Sequence, residues 1–370
     1  MRHLSFILLA TVLAVGCQPA PASQTSEAQA VKSSPEATPA ADKGSKTPGE
    51  SAKPAAATPK ADPVSLTVYS GRGAVLVEPL FERFTKATGI AVEVRYDKST
   101  GALAERLATE GKETPADVFF AQDSGYLGAL AERGLLRAVP QTTLTQADEG
   151  FRPKSGKWVP VSGRARVLVY SPGRVPAASL PTSLSDLTKP EWKGRLGWAP
   201  SNASYQAHVS ALRTLWGEEK TRAWLTGIKA NEPTVYPKNS PQVRAVSSGE
   251  IDLGWVNHYY LHKLKASNPE LKAANHSFAK GDAGNLMMLS GAGISAYTKR
   301  AASAEKLLAF FLSDEAQTYF ATTVFEYPVR SAIARHPDVP PLSDDLVQVK
   351  QAALTDVSGT VALLRSLGLN

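Results

Sequence analysis

The sequence runs to 370 residues, 43% hydrophobic and 20% charged, with a formal charge of +7. This is ordinary globular composition, with enough apolar residues for a large core or two lobes. The positive charge is spread along the chain, and no Lys/Arg run is interleaved with aromatics, which argues against nucleic acid as a partner.

The chain opens on MRH, then an almost wholly apolar run over 4–16, then Cys17, its only cysteine. That pattern predicts a signal peptide over 1–17, too short to span a bilayer. The stretch LAVGC resembles a bacterial lipobox, with Ala14 where leucine is commonest. The resemblance implies lipid modification of Cys17 as the first mature residue; a plain secretory cleavage nearby is the alternative. With no other cysteine there are no internal disulfides and no thiolate metal site, so any chemistry falls to oxygen and nitrogen donors. Residues 18–63 are Ala, Pro, Ser, Thr and Lys with hardly a large apolar side chain. They cannot bury enough surface to offset ordering entropy, which predicts a disordered tether.

The folded part is expected to begin with a strand at 66–71 (LTVYSG). A helix over 74–89 follows, with apolar positions at Leu76, Val77, Leu80, Phe81 and Phe84, and then a strand over 91–96. Strand, helix and strand make a βαβ unit. GALAERLATEG reads as a helix, 116–122 as a buried strand and 125–136 as a helix stopped near Gly134. Together they predict an α/β lobe on a mainly parallel sheet. Ligands of such sheets bind beyond the carboxyl ends of the strands, which directs attention to 69–72 and 121–124.

A second set of elements begins with a strand at 164–172. It continues through GRLGWAP at 194–200, a helix that Ser201 or Asn202 can cap, a short helix at 240–250, and a strand at 251–257 leading into YYLHKLKA. The stretch from Met287 reads as a strand that returns to the first lobe, followed by one helix, AASAEKLLAFFLSDEAQTYFA. The expected organisation is a first lobe over 64–163 and 286–335 and a second over 164–285 and 336–370. Two α/β lobes crossed more than once by the chain point to a hinged binding protein with its ligand in the cleft.

Two adjacent tyrosines stand where the strand IDLGWVN gives way to YYLHK. On a continuing strand Tyr259 and Tyr260 would point to opposite faces; at a helix start they diverge by about 100° and both can face the cleft. Phenolate is a hard anionic donor suited to a hard trivalent cation. Ionising a tyrosine at neutral pH is uphill by about three pK units, roughly 4 kcal/mol, so only a strong local positive charge sustains it. Spacing alone leaves open the commoner alternative of one packed and one exposed tyrosine. His258 and His262 stand at i and i+4 as a zinc pair would, with no HExxH glutamate beside them.

The blocks VYSGR, PADVFFAQD, SGRARVLVY, APSNASYQ, PKNSPQVRAVSSGEIDLGWVNHYY and FEYPVR resemble those of the bacterial periplasmic ferric-ion-binding proteins, the substrate-binding subunits of iron(III) ABC importers. The resemblance runs from about residue 66 to the C-terminus, and Asn-x-Tyr-Tyr after the GEID strand is its most specific part. It implies a type II two-lobe periplasmic binding fold with Fe3+ held by Tyr259 and Tyr260, and a third phenolate from Tyr205 at the start of the second-lobe helix.

In that family a first-lobe side chain or a synergistic anion completes the coordination. Here Gly73 and Ala74 stand where a histidine commonly follows the first strand, and Gln122 where a glutamate sometimes follows PADVF. Asp123 is then the first-lobe candidate, with a loop or cap role as its alternative. A carbonate or bicarbonate fits better, held by Arg164 and the helix start at Ser201, Asn202 and Ala203. Arg72 is expected either near the site or as a surface charge. Asn239 and Asn257 are expected to hydrogen-bond ligand tyrosines or to serve as turn and cap residues.

The implied protein is not an enzyme. It is a monomer outside the cytoplasm, anchored to the membrane only by lipid, carrying ferric iron or a ferric chelate to an inner-membrane ABC permease with its ATPase. The nearest alternative is the same fold binding thiamine, a polyamine or a phosphonate. A lipid-anchored metalloenzyme lacks support, since neither GxSxG nor HExxH is present. Transport and sensing are not separable from the residues.

Overall fold

The computed structural model describes residues 65–97, 99–341, 347–348 and 356–369; the expected signal peptide, Cys17 and the tether lie outside them. The chain enters through β1 (Ser65–Ser70), α1 (Ala74–Thr88) and β2 (Ala91–Tyr96), with β1 and β2 parallel, which is the βαβ unit expected from periodicity. Helix α1 buries Val77, Leu80, Phe81 and Phe84, one i, i+3, i+4, i+7 row. It ends where Gly89 takes φ 72° and its N–H bonds the Thr85 carbonyl. Next come α2 (Thr100–Glu110), capped by the Ser99 side chain, β3 (Val118–Ala121), α3 (Ser124–Glu132) and the short α4 (Gln141–Leu144).

The long strand β4 (Val159–Tyr170) joins the two halves of the sheet. Beyond it lie β5 (Leu196–Trp198), α5 (Ala203–Trp216), α6 (Glu218–Ala230), β6 (Thr234–Val235), α7 (Asn239–Ser248), β7 (Leu253–Asn257), α8 (Tyr259–Ser267) and β8 (Ala274–His276). The chain then returns along β9 (Leu286–Ile294) to α9 (Ala301–Phe311) and α10 (Asp314–Tyr319), a π-helical turn at Phe320–Val324, β10 (Tyr327–Pro328), β11 (Val347–Gln348) and α11 (Val357–Ser366).

The strand order is β2-β1-β3-β9-β4-β7-β5-β6. Strand β9 pairs antiparallel with both β3 and β4, so the first half is mixed where a mainly parallel sheet was expected. The reason is the return of the chain: Met287 onward comes back from the far half and enters the sheet against the direction of β3. Strand β4 begins at Val159, five residues before the expected start at Arg164, because the apolar run VPVSG continues the ladder to β9. It pairs with β9 through Ala165 and with β7 from Arg166 onward. Gly163 sits at this passage; a Cβ there would overlap the Met287 side chain. The helix expected after β9 breaks at Ser313, whose hydroxyl accepts from the Ala316 N–H and starts α10.

Each half of the sheet has its own core. Around β1, β3 and β9, one cluster gathers Val68, Phe81, Phe84, Phe120 and Phe311, and another gathers Tyr69, Leu107, Phe119 and Leu127. Alternating residues of β1 and β3 feed the two clusters, so both faces are covered and these strands read as nearly continuous apolar runs. Around β5 and β7, Trp198, Tyr205, Trp224 and Trp255 pack with Leu363 and Leu364 of α11.

Candidate functional site

The carboxyl ends of β1, β3 and β7 deliver Arg72, Gln122–Asp123 and Tyr259–Tyr260, while the middle of β4 supplies Arg164 and Arg166. Helix α8 starts at Tyr259, as the sequence requires for both tyrosines to face one region. Their rings stack, with centroids 4.2 Å apart and planes 28° from parallel. Tyr259 is fully buried among Ala165, Met287, Phe325 and Tyr327, and Tyr260 is half-buried. Burial raises the Tyr259 phenol well above its ordinary range, with Tyr260 and Glu326 adding to the rise and Arg72 and Arg164 opposing it. The fold itself therefore keeps this phenol neutral.

Tyr205 lies in the first turn of α5, which Asn202 caps by accepting from the Ser204 N–H at 3.1 Å. Its ring packs edge-on against Trp198 and Trp255, and it is fully buried. Among the described residues its hydroxyl has no hydrogen-bond partner. Burial pushes this phenol up, and Arg166 partly opposes the shift. A buried hydroxyl without a partner costs about 1–3 kcal/mol, a cost that a ligand can relieve.

Three arginines are buried around the tyrosines. Arg72 donates through Nη2 to Glu326 Oε1 at 2.8 Å, leaving its Nε and Nη1 without partners. Glu326 also accepts from the Ser162 hydroxyl. The Arg72 guanidinium is pulled down by burial, but Glu326 and the phenols of Tyr259 and Tyr260 outweigh this and raise it. Arg72 is thus an interior charge, and the surface-charge expectation is corrected: the FEYPVR segment supplies a counterion from far along the chain.

Arg164 donates through Nη2 to Asp123 Oδ1 at 2.6 Å and to the Gln122 carbonyl. Its Nε and Nη1 remain without partners. Asp123 occupies the N-cap position of α3 yet makes no capping bond. Burial raises its carboxyl and Arg164 opposes the rise.

Arg166 donates to Trp255 O at 2.7 Å, to Asn257 Oδ1 at 3.0 Å and to Asn239 Oδ1 at 3.4 Å, and it lies over the Trp255 ring. Burial pushes it down to about 9, while Tyr205 and Tyr260 pull the other way, so it remains charged at neutral pH. Sequence reasoning missed both Arg166 and Glu326. The signal for Arg166 was available: in RARVLVY it alternates onto the same face as Arg164, two charges on an otherwise apolar buried strand.

Asn239 and Asn257 bond Arg166, and their amides donate to Asn202 and Ser204 at 3.4 and 3.2 Å. Neither shows the expected bond to a ligand tyrosine, because the guanidinium of Arg166 takes the side-chain oxygen of both. At the start of α5, the N–H groups of Ser204, Tyr205 and Gln206 are all taken by Asn202. The Asn202 N–H is itself given to the Ala199 carbonyl at 3.0 Å, so this helix start offers fewer donors than the expected anion site at Ser201, Asn202 and Ala203 requires. His258 accepts from the Ala165 N–H at 3.1 Å and bonds the Phe325 carbonyl at 2.8 Å. Both ring nitrogens are committed, so His258 and His262 form no zinc pair. Among the described residues no group of three or more His, Cys, Asp or Glu side chains is placed to hold a metal.

A sheet of two halves, linked by a long crossing strand and lined between strand ends by buried polar side chains, defines the class of periplasmic binding proteins. Comparison agrees. Residues 113–350 match the family model of the bacterial extracellular solute-binding proteins. The Fe(3+)-binding periplasmic protein of Serratia marcescens is 34% identical over 307 residues, 82% of this chain and 90% of that one. The major ferric iron-binding protein of Neisseria meningitidis is 31% identical, covering 85% and 95%. Iron-bound HitA of Pseudomonas aeruginosa superposes with a TM-score of 0.79 at 34% identity, over 83% of this chain and 100% of that one. The chain belongs to the bacterial extracellular solute-binding proteins, in the branch of the periplasmic ferric-iron-binding proteins. These relatives are binding proteins and not enzymes.

Proposed function

We propose that the protein captures ferric iron outside the cytoplasm, through Tyr205, Tyr259 and Tyr260, as the substrate-binding subunit of an ABC importer, and delivers it to an inner-membrane permease. The observation that carries this reading is the stacked pair Tyr259 and Tyr260, with Tyr205 and its unpartnered buried hydroxyl in electrostatic reach of the same arginine as Tyr260. Tyr205 and Tyr259, held neutral by burial, ionise only against a concentrated positive charge. Fe3+ supplies it, and zinc or copper(I) suits this donor set poorly.

Charge balance favours a small anion beside the iron. Among the described residues Arg72, Arg164 and Arg166 face Asp123 and Glu326, leaving one buried positive charge uncompensated. Three phenolates neutralise Fe3+, so a single negative charge, such as bicarbonate, closes the account, with Arg164 as its holder through the unpartnered Nε and Nη1. The two lobes over 64–163 with 286–335 and 164–285 with 336–370, a lipid anchor at Cys17 and a monomeric state belong to the same reading. The separate cores of the two halves support the lobes.

Calorimetric titration with a ferric chelate in buffers of different ionisation enthalpy counts the protons released. The reading expects about three per iron at neutral pH, one from each phenol. Release of none overturns the phenolate site.

A further inference from the structure

The loop after β3 reaches the other half of the sheet. Gln122 Nε2 donates to Ser204 Oγ at 2.8 Å. Ser204 is fully buried in the first turn of α5, next to Tyr205, and its hydroxyl also accepts from Asn257 Nδ2 at 3.2 Å. Asn257 in turn accepts from Arg166 at 3.0 Å and ends β7, two residues before Tyr259. One chain of side-chain hydrogen bonds therefore runs from the β3 loop, through Ser204 and Asn257, to Arg166, by way of residues that neighbour Tyr205 and Tyr259 in sequence. One residue further along the same loop, Asp123 grips Arg164.

We propose that Gln122 and Ser204 form a clasp that holds the β3 loop over the tyrosine cluster and sets how long the bound ion stays, without themselves touching it. The inference rests on the ferric reading above. The chemistry of the pair suits the role. A neutral amide bonded to a hydroxyl adds no charge to a site already crowded with ions, so the clasp opens and closes without a change in the charge balance. One neutral hydrogen bond is also weak enough to open thermally. Asp123 and Arg164, being charged and buried, make a grip that is costlier to break.

Gln122→Ala, Ser204→Ala and the double variant are loaded with iron and challenged with excess of a competing chelator, and release is followed at the phenolate-to-iron absorption band. Gln122→Ala releases iron roughly three- to tenfold faster than wild type, the scale of one lost hydrogen bond. Ser204→Ala is at least as fast, and the double variant is no faster than Ser204→Ala, because both changes remove the same bond. Band position and intensity stay those of wild type, since neither side chain is a ligand; a shifted band would make Gln122 a ligand and overturn the clasp. Unchanged release rates overturn it too, as do effects of the two substitutions that multiply. If wild type shows no band, the ferric reading falls and small-angle X-ray scattering without metal decides the clasp. A larger radius of gyration in both single variants supports it, and equal radii refute it.

Discussion

Removing the Glu326 carboxylate should destabilise the protein more than the loss of any exposed ion pair. Glu326 holds Arg72 Nη2 at 2.8 Å, both side chains are fully buried, and its second oxygen accepts from Ser162. In Glu326→Ala the guanidinium keeps its charge, because even the ordinary arginine pKa is too high for deprotonation to relieve it. A buried charge stripped of its partner costs about 3–5 kcal/mol. For a domain of a few hundred residues, at roughly 2–4 °C per kcal/mol, that is a fall in melting temperature of about 6–20 °C. The assay is urea and thermal unfolding of the metal-free protein, together with Arg72→Met and the pair Arg72→Met/Glu326→Leu. The double variant should recover most of the loss, since two apolar side chains replace a pair whose desolvation offset its attraction. A loss below about 1 kcal/mol in Glu326→Ala, the level of an exposed pair such as Arg133 with Glu105, would refute the reasoning.

Tyr205→Phe removes a buried hydroxyl that has no partner, so the metal-free protein should be as stable as wild type or up to about 2 kcal/mol more stable while iron binding weakens; unfolding and iron titration on one preparation check both. His208 is fully buried and bonds the Ala283 carbonyl at 2.7 Å, and burial and Arg166 hold its pKa well below 6.5. A histidine depressed in the fold contributes stability that is present above pH 6.5 and lost as pH falls below it, because only the unfolded chain then takes up the proton. His208→Gln should therefore flatten the decline of unfolding free energy with acid by about 1.4 kcal/mol per pH unit, measured between pH 6 and about 5. Arg166→Met should weaken iron binding together with any bicarbonate dependence, because Asn239, Asn257 and the Trp255 carbonyl lose their common donor; equilibrium competition with a chelator measures it.

Local structure was legible in the sequence where periodicity and end signals agree. The row Val77, Leu80, Phe81 and Phe84 closed by Gly89, and the change from strand to helix at Tyr259, are both as the pattern demands. Strand direction was less legible. The reversal at β9 depends on where a distant segment docks, which no local period records. The tyrosines stood out because adjacent phenols at a strand end are chemically conspicuous. Glu326 did not, since it lies 254 positions from Arg72 and reads as one charge in a loop. Asn239 and Asn257 were recognised as polar residues of this region, but their partner was not, because Arg166 was not among the expected site residues. Buried charge on an apolar strand carries the desolvation cost that marks a site, and that argument applied to Arg166 as much as to Arg164.

The central claim, that phenolates of Tyr205, Tyr259 and Tyr260 hold ferric iron, is tested most directly by visible absorption during titration with ferric citrate. Wild type and Tyr259→Phe are compared, with and without bicarbonate. A broad charge-transfer band that saturates at one equivalent of iron, and is lost or strongly weakened in Tyr259→Phe, is the predicted result. Dependence of the band on bicarbonate would add the anion held by Arg164. A folded wild-type protein that develops no band, or a Tyr259→Phe variant whose band is indistinguishable from wild type, would contradict the account.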